Sequence, residues 1–514
     1  MAKENKSGFP VRLGSIDIGS NAIRFSAAEF DDQADFRVLN SERIPVRLGQ
    51  SVFLCGSFDK KTMDLAVKAI DSFRKKMQAL QLERYRAVAT SAVRESTNGA
   101  YLIEQIRQKT GIEVESISGS EEARLVYLSV KNKVKLGNRK WIMADLGGGS
   151  VEVSQITRNR ILWTETLALG AVRLLEGLAA FNNDPEKFKK ILNDYLSAYK
   201  IESLTSRKVR GQTMIATGGN IERIARIAGV EDDPSGNGVI DLKILRRAID
   251  KLSALTVAER MEKYGLMKDR ADVILPAAMV YEHLCGLIGS KKIIIPYVGV
   301  KDGILFDLAA EISSKQKSSE SKEEIAEDAC INLGRRYRFD EEHGLHVAKL
   351  AVELFDQLKG RYHLNGESRR VLLAGSILHD IGTYINYKGH HKHSLYLILQ
   401  AELPSFTTND MKLIANLARY HRKSMPKPDH PAFNSLTGEE KDKVKKLAAL
   451  IRLADALDRE HLQKVKNVRA AVNGHQLELK LNSAGDIGLE KWDLKKKSNM
   501  FEEVYGLKVS LDRK

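Results

Sequence analysis

Apolar positions in the first three-fifths of the chain come in short runs broken by longer stretches of helical spacing. Residues 12–17 and 23–30 read as buried strands, and the polar Gly19-Ser20-Asn21 between them predicts a hairpin. Met63, Val67, Ile70, Phe73 and Met77 recur at helical spacing within 62–80. Residues 85–89 form a short predicted strand that delivers Thr90-Ser91-Ala92-Val93-Arg94 onto a loop. A helix over 100–110 stopped by Gly111, a strand over 112–117 and a helix from about Ser120 complete the alternation. Trp141 to Ala144 is a further strand, and Val151, Val153 and Ile156 resume an extended pattern, so three glycines sit at a hairpin tip.

Helices are predicted over 185–198, 220–228, 242–252 and 270–288, with a strand at 293–295 and a glycine-punctuated turn from Tyr297 to Gly303. Residues 313–322 are small and charged without periodicity, which predicts a linker. Beyond it 325–463 carries long helical patterns, and 468–481 with 507–511 predicts a β-containing end. The predicted organisation is two α/β lobes over 12–130 and 131–312, a linker over 313–324, an all-α domain over 325–463 and a small α+β unit over 464–514.

Composition narrows the function classes. At 514 residues and 43% hydrophobic content the chain supports several cores. Its first ten residues hold no apolar run, and no stretch approaches the ~20 apolar residues of a membrane span, so a cytoplasmic protein without a membrane partner is expected. Cys55, Cys285 and Cys330 are isolated, which fits a reducing compartment and excludes a cysteine-based zinc site. Lys and Arg number 82 against 67 Asp and Glu, a net charge of +15 that calls for a polyanion. Nucleic-acid motifs are missing and aromatics are 6%, so no specific nucleic acid is expected and a non-nucleic polyphosphate fits equally well. Lys187, Lys189, Lys190, Arg207, Lys208 and Arg210 are candidates to guide it.

One local design occurs twice: a strand, an aspartate at its end, then a glycine turn. Asp17 leads into Gly19-Ser20-Asn21, and Asp145 leads into Gly147-Gly148-Gly149-Ser150. Such turns turn backbone N–H groups towards phosphate, and Asp17, Asp145 and Glu152 are candidate Mg²⁺ ligands. Glu152 reads equally well as a solvated strand residue. Arg94 is either a bidentate clamp on a terminal phosphate or half of a surface ion pair with Glu95 or Glu122. Arg24 and Arg173 would clamp phosphate or brace a loop. Glu121 and Glu122 lie about 100° apart on the first turn of a helix, so both cannot face one cleft. Ser118-x-x-Glu121 has the spacing of a capping box, which leaves Glu122 as the freer candidate for a general base.

The paired turns resemble the phosphate-1 and phosphate-2 loops of the superfamily that includes sugar kinases and actin. Ile16 to Asn21, Ala89 to Arg94, Ile117 to Arg124, Asp145 to Glu152 and Leu169 to Arg173 are similar in order and spacing to the exopolyphosphatase and guanosine pentaphosphate phosphatase family, over roughly residues 12–310. The resemblance implies a two-lobed actin-like (ribonuclease H-like) α/β fold, Arg94 as a phosphate ligand and Glu122 as the catalytic glutamate. It further implies Mg²⁺-dependent release of the terminal phosphate of inorganic polyphosphate, or of guanosine pentaphosphate, by a homodimer. Ile215 to Asn220 falls where kinases of the superfamily hold adenosine. An ATP-dependent kinase would phosphorylate an added metabolite, and a non-catalytic polyanion-binding protein would bind without turnover.

After the linker, His343, His379-Asp380 and Asp455 follow the order used by HD-domain metal phosphohydrolases. They would form one divalent-metal shell, and His393 and His421 could hold a second metal, with a transition metal the candidate for this domain. Thr383 stands where catalytic HD enzymes commonly place lysine.

Overall fold

A computed structural model describes residues 9–32, 35–181, 184–199, 201, 204, 209–313, 318–362, 364–401, 403 and 406–511. The chain divides into two compact units, residues 1–318 and 319–514.

The first unit contains two sheets built to one plan. In the first, β1 (Val11–Ile18) is central, with every residue but Arg12 buried, and pairs antiparallel with β2 (Ala22–Phe30). The edge strand β3 (Phe36–Pro45) continues the meander, and β4 (Arg84–Ala89) and β5 (Val114–Ser116) add in parallel on the other side, giving the order β3-β2-β1-β4-β5. The second sheet comprises β6 (Trp141–Leu146), β7 (Val151–Ile156), β8 (Ile161–Leu167), β9 (Met214–Thr217), β10 (Gly238–Asp241) and β11 (Lys292–Ile295), in the order β10-β11-β9-β6-β7-β8. Strand directions match strand for strand, β6 for β1 and β7 for β2, with β10 as an added edge. Asp17 and Asp145 therefore occupy equivalent positions, each one residue before the end of its central strand.

Two helices depart from the predicted lobe boundary. The helix Gly119–Lys133 and the helix Val300–Ser313 pack on each other, so closely that a Cβ on Gly303 would run into the Leu125 carbonyl. One continuous core takes Leu13 and Val88 from the first sheet, Trp141, Met143 and Ile215 from the second, and Leu125, Val130, Ile304 and Leu308 from these helices. Residues 300–313, predicted as the end of the second lobe, thus belong with the first sheet. Their placement is fixed by Asp307, which pairs with Arg124 and Arg86.

Other expectations shift in detail. Ser91–Glu95 is a helical turn rather than a loop. The helix expected over 270–288 is broken into Lys268–Ala271 and Ile274–Ile288. This segment is long and apolar enough to cross a membrane, yet 78% of its most apolar window is buried, and its residues fill the core of the second lobe. The predicted linker is helical from Ser318, where the helix Ser318–Arg336 begins, and residues 314–317 lie outside the described residues. Its sequence holds no glycine or proline before Gly334, and burial of Ala326 and Cys330 anchors it.

In the second unit the helices Glu341–Tyr362, Gly366–Ile377, Thr408–Tyr420 and Gly438–Ala456 share a core that includes Leu350, Leu354, Phe355, Leu372, Leu417, Leu447 and Ile451. Strands β12 (Val465–Asn473), β13 (Gln476–Ser483) and β14 (Lys508–Leu511) form a three-stranded sheet, and Val468, Leu477, Leu479 and Phe501 enter the same core. The predicted separate unit over 464–514 is thus continuous with the helical domain.

Candidate active site

The two hairpins differ at one cross-strand pair. Asp17 lies opposite Arg24 across β1 and β2, and Arg24 Nη1 donates to its carboxylate at 2.7 Å. At the equivalent place Asp145 lies opposite Glu152 across β6 and β7. Glu122, from the first turn of the helix Gly119–Lys133, joins them, and one carboxylate oxygen from each of Glu122, Asp145 and Glu152 lies within 4.8 Å of the others. These side chains are buried, with Glu152 fully enclosed. Thr217 donates to Asp145 at 2.5 Å and Ser150 to Glu152 at 2.6 Å, whereas Glu122 Oε2 has no hydrogen-bond partner.

Burial, then the charge of Glu152, pushes Glu122 well above the usual carboxylate range, and Arg94 opposes the shift. Burial also raises Asp145, against the Thr217 hydrogen bond. Carboxylates gathered without a cation repel one another and resist ionisation. An all-oxygen donor set carrying this charge fits Mg²⁺. Asp17, predicted as a metal ligand, pairs with Arg24 and lies outside the group that Glu122, Asp145 and Glu152 form.

The two glycine turns are tied back in the same way in both lobes. The carbonyls of Ser20 and Asn21 accept from Gly49 and Arg47 N–H at 2.6 and 3.0 Å. Those of Gly147 and Gly148 accept from Ala171 and Val172 at 3.1 and 2.9 Å. Gly19 and Gly147 N–H close the turns on the Ala22 and Ser150 carbonyls at 3.2 and 3.0 Å, which leaves the amides at the turn tips for a ligand. The loops also approach each other: a Cβ on Gly148 would lie 2.9 Å from Ser20 Cβ, and one on Gly149 would collide with Phe53 and Ser91. Ser20 and Ser91 hydroxyls are 2.9 Å apart, and Asn21 Nδ2 donates to the Asp269 carbonyl at 2.9 Å.

Both loops line a cavity of about 280 Å³ together with Asp17, Glu122 and Asp145. Facing residues include Arg24, Arg43, Arg223, Arg270 and the Tyr297–Asp302 turn. Burial, then the neighbouring Arg43 and Arg24, holds the Arg270 guanidinium down to about 9. Arg94 does not line this cavity; its Nη1 donates to the Ile117 carbonyl at 2.7 Å, and its charge acts on Glu122. Its alternative partner Glu95 pairs with Arg173, which also donates to the Gly149 carbonyl and so braces the loop. Glu121 turns away from the cleft to Arg124 and Arg86, at 2.7 and 3.1 Å.

Profile comparison matches residues 27–311 to the Ppx/GppA phosphatase family and residues 325–498 to Ppx/GppA phosphatase domain III. The chain belongs to the Ppx/GppA phosphatase family. It is a phosphoanhydride hydrolase by that membership. Among solved structures, an exopolyphosphatase from Cytophaga hutchinsonii is 26% identical, with a TM-score of 0.54 over 58% of this chain and 98% of that one. The Ppx/GppA family member of Aquifex aeolicus, 24% identical with a TM-score of 0.50 over 60% and 99%, shares the fold.

The helical unit, domain III of this family, gathers most of the predicted second constellation. His343 Nε2 lies 3.6 Å from Asp455 Oδ1, and His379 Nε2 lies 3.7 Å from Asp380 Oδ2. His421 Nε2 is 3.1 Å from Asp380 Oδ1. The expected fifth donor is displaced: His393 covers Gly382, and His390 stands 3.0 Å from Asp380 Oδ1 instead. Residues 390 and 393 are nearly one turn apart on the helix His390–Leu399, and its first residue is the one aimed at the cluster. The adjacent histidines at 390 and 391 were the available signal. Of the predicted basic path, Lys189 pairs with Asp250, and Arg207 and Lys208 lie outside the described residues.

Proposed function

We propose that this protein hydrolyses the terminal phosphoanhydride of inorganic polyphosphate and releases orthophosphate. The observation that carries the proposal is the buried Glu122 carboxylate, with an oxygen lacking a hydrogen-bond partner, in a cavity lined by two phosphate loops. Transfer needs phosphate charge offset and a water aimed in line with the leaving oxygen. Amides at the tips of the two glycine turns, Ser20 and Asn21 in one and Gly148 and Gly149 in the other, hold the phosphates, and Glu122 accepts a proton from a water molecule as the water oxygen bonds to the terminal phosphorus. The bond from that phosphorus to the bridging oxygen breaks, and the shortened chain leaves with the negative oxygen. Mg²⁺, which Asp145 and Glu152 would hold, supplies neutralisation of phosphate oxygens. Arg94 tunes Glu122 through its charge.

The choice of polyphosphate over guanosine pentaphosphate is supported by the cavity wall. Amides, hydroxyls and charged groups line it beside the aliphatic Val172, Val273 and Val298, and Tyr297 is the only aromatic side chain among the described lining residues, so a guanine finds little platform for stacking. The 26% identical exopolyphosphatase agrees with this reading. Free orthophosphate is measured from long-chain polyphosphate and from guanosine pentaphosphate at equal concentration of terminal phosphates, with Mg²⁺. Faster release from polyphosphate is expected. Faster release from guanosine pentaphosphate reverses the assignment, and transfer of phosphate to an added acceptor makes the protein a kinase.

A further inference from the structure

Behind the carboxylate cluster, two buried hydroxyl groups act on the aspartate that the second sheet supplies. Thr217 ends β9 and lies opposite Asp145 in the parallel pairing of β9 with β6. Its hydroxyl donates to Asp145 Oδ1 at 2.5 Å, and its carbonyl accepts from the Tyr281 hydroxyl at 2.5 Å. A carbonyl only accepts, so the tyrosine proton points to Thr217, while the same tyrosine oxygen takes the backbone N–H of Leu146, the residue after Asp145. The Tyr281 hydroxyl thus forms one rung between the two strands at the end of their pairing. Beyond it Gly218, at a φ of 103°, turns the chain away, and a Cβ there would lie 2.8 Å from the Leu146 carbonyl.

Packing explains neither hydroxyl. Thr217 follows Met214, Ile215 and Ala216 on a fully buried apolar strand, where valine has the same shape and the same preference for extended backbone. Tyr281 is wholly buried in a core with Ala277, Ala278, Val280 and Leu284, where phenylalanine would bury the same ring. A hydroxyl taken out of water is costly unless it is bonded, and these bonds run one way, from Tyr281 through Thr217 to a carboxylate grouped with Glu122 and Glu152. Neither residue lines the cavity, so both act through Asp145. We propose that Thr217 and Tyr281 are positioning residues for the active-site cation: together they set the plane of the Asp145 carboxylate, so that one oxygen is held by the protein and the other is presented to Mg²⁺. The inference rests on the reading of Glu122, Asp145 and Glu152 as a Mg²⁺ site. Partners that bond to a ligating carboxylate orient it and raise metal affinity.

Mg²⁺ is titrated into the full-length protein without substrate and its binding is read by calorimetry, with Asp145→Asn showing which heat belongs to this site. Thr217→Val keeps the shape and removes the hydroxyl, and is expected to weaken Mg²⁺ binding about 10–100-fold, the scale for lost ligand-orienting partners. Thr217→Ser keeps the hydroxyl and loses the methyl group, and is expected to restore binding. Tyr281→Phe is expected to weaken it in the same direction as Thr217→Val, with circular dichroism confirming that each variant is folded. A folded Thr217→Val or Tyr281→Phe that binds Mg²⁺ as tightly as the unsubstituted protein overturns the proposal and leaves the Mg²⁺ site standing. So does a Thr217→Ser as weak as Thr217→Val, since the methyl group and not the hydroxyl would then matter. An unsubstituted protein that shows no heat beyond that of Asp145→Asn overturns the Mg²⁺ reading and the proposal with it.

Discussion

Glu121 and Glu122 are chemically identical neighbours with opposite fates, and each fate can be measured. Glu122 faces the phosphate loops with an oxygen lacking a hydrogen-bond partner, so Glu122→Gln keeps its size and removes its basicity. Turnover is expected to fall about 10²–10⁴-fold with substrate affinity nearly retained, as read by steady-state kinetics and direct binding. Glu121 is locked to Arg124 and Arg86, which outweigh the effect of burial and hold its carboxyl below the ordinary value of 4.5. A depressed folded value stabilises the protein above that ordinary value, and the contribution is lost as pH falls through the lower one. Glu121→Gln is expected to cost about 3 kcal/mol at neutral pH, by urea unfolding, and to flatten stability between pH 5 and 3 relative to the unsubstituted protein, pH values chosen to bracket this titration. An equal loss at pH 3 and pH 7 would contradict the ionic account. Helical spacing showed that only one of the two carboxylates faces the cleft, and the capping pattern at Ser118 selected Glu122. The network that holds Glu121 was hidden, since Asp307 arrives from another helix far along the chain. The same blindness displaced His390 in favour of His393, because helix phase at a first residue depends on where the helix begins.

Duplicated strands make the carboxylate cluster an accident of one residue per lobe. The β1/β2 pair presents Asp17 against Arg24, an internally neutral arrangement, whereas β6/β7 presents Asp145 against Glu152. Asp145→Asn is expected to raise the Mg²⁺ concentration for half-maximal phosphate release by on the order of 10–100-fold, the scale seen when groups that support metal sites are removed. Asp17→Asn is expected to leave that Mg²⁺ midpoint in place even where it lowers the maximal rate. A shift in the Asp17 variant as large as that for Asp145 would return Asp17 to the ligand set. Both central hairpins were legible because their apolar runs end in glycine turns. The edge strands β3 and β8 were not, because half-exposed strands such as Phe36–Pro45 carry Arg37, Glu42 and Arg43 among their apolar positions. Cross-strand partners follow from register, which the sequence pattern leaves open until the turn length is known.

Across the phosphatase unit, the sequence boundary at residue 312 missed that the chain returns to its first sheet after β11. Periodicity reports how apolar a helix is, and not which sheet receives it. The return depends on Gly303, where the Val300–Ser313 helix meets the Leu125 carbonyl. Gly303→Ala is expected to destabilise the unit by about 1–3 kcal/mol, seen as a lower urea midpoint, through overpacking. An unchanged midpoint would show that the two helices part without cost. Since the chain passes from the first sheet to the second near 134–140 and back near 296–299, the lobes are tied by two strands of backbone and not one. A body pinned at two points keeps a single easy rotation, about the line joining the pins. Any opening of the cleft is therefore confined to rotation about the line through those two crossings, and it must strain the core that Leu13, Trp141, Ile215 and Ile304 share.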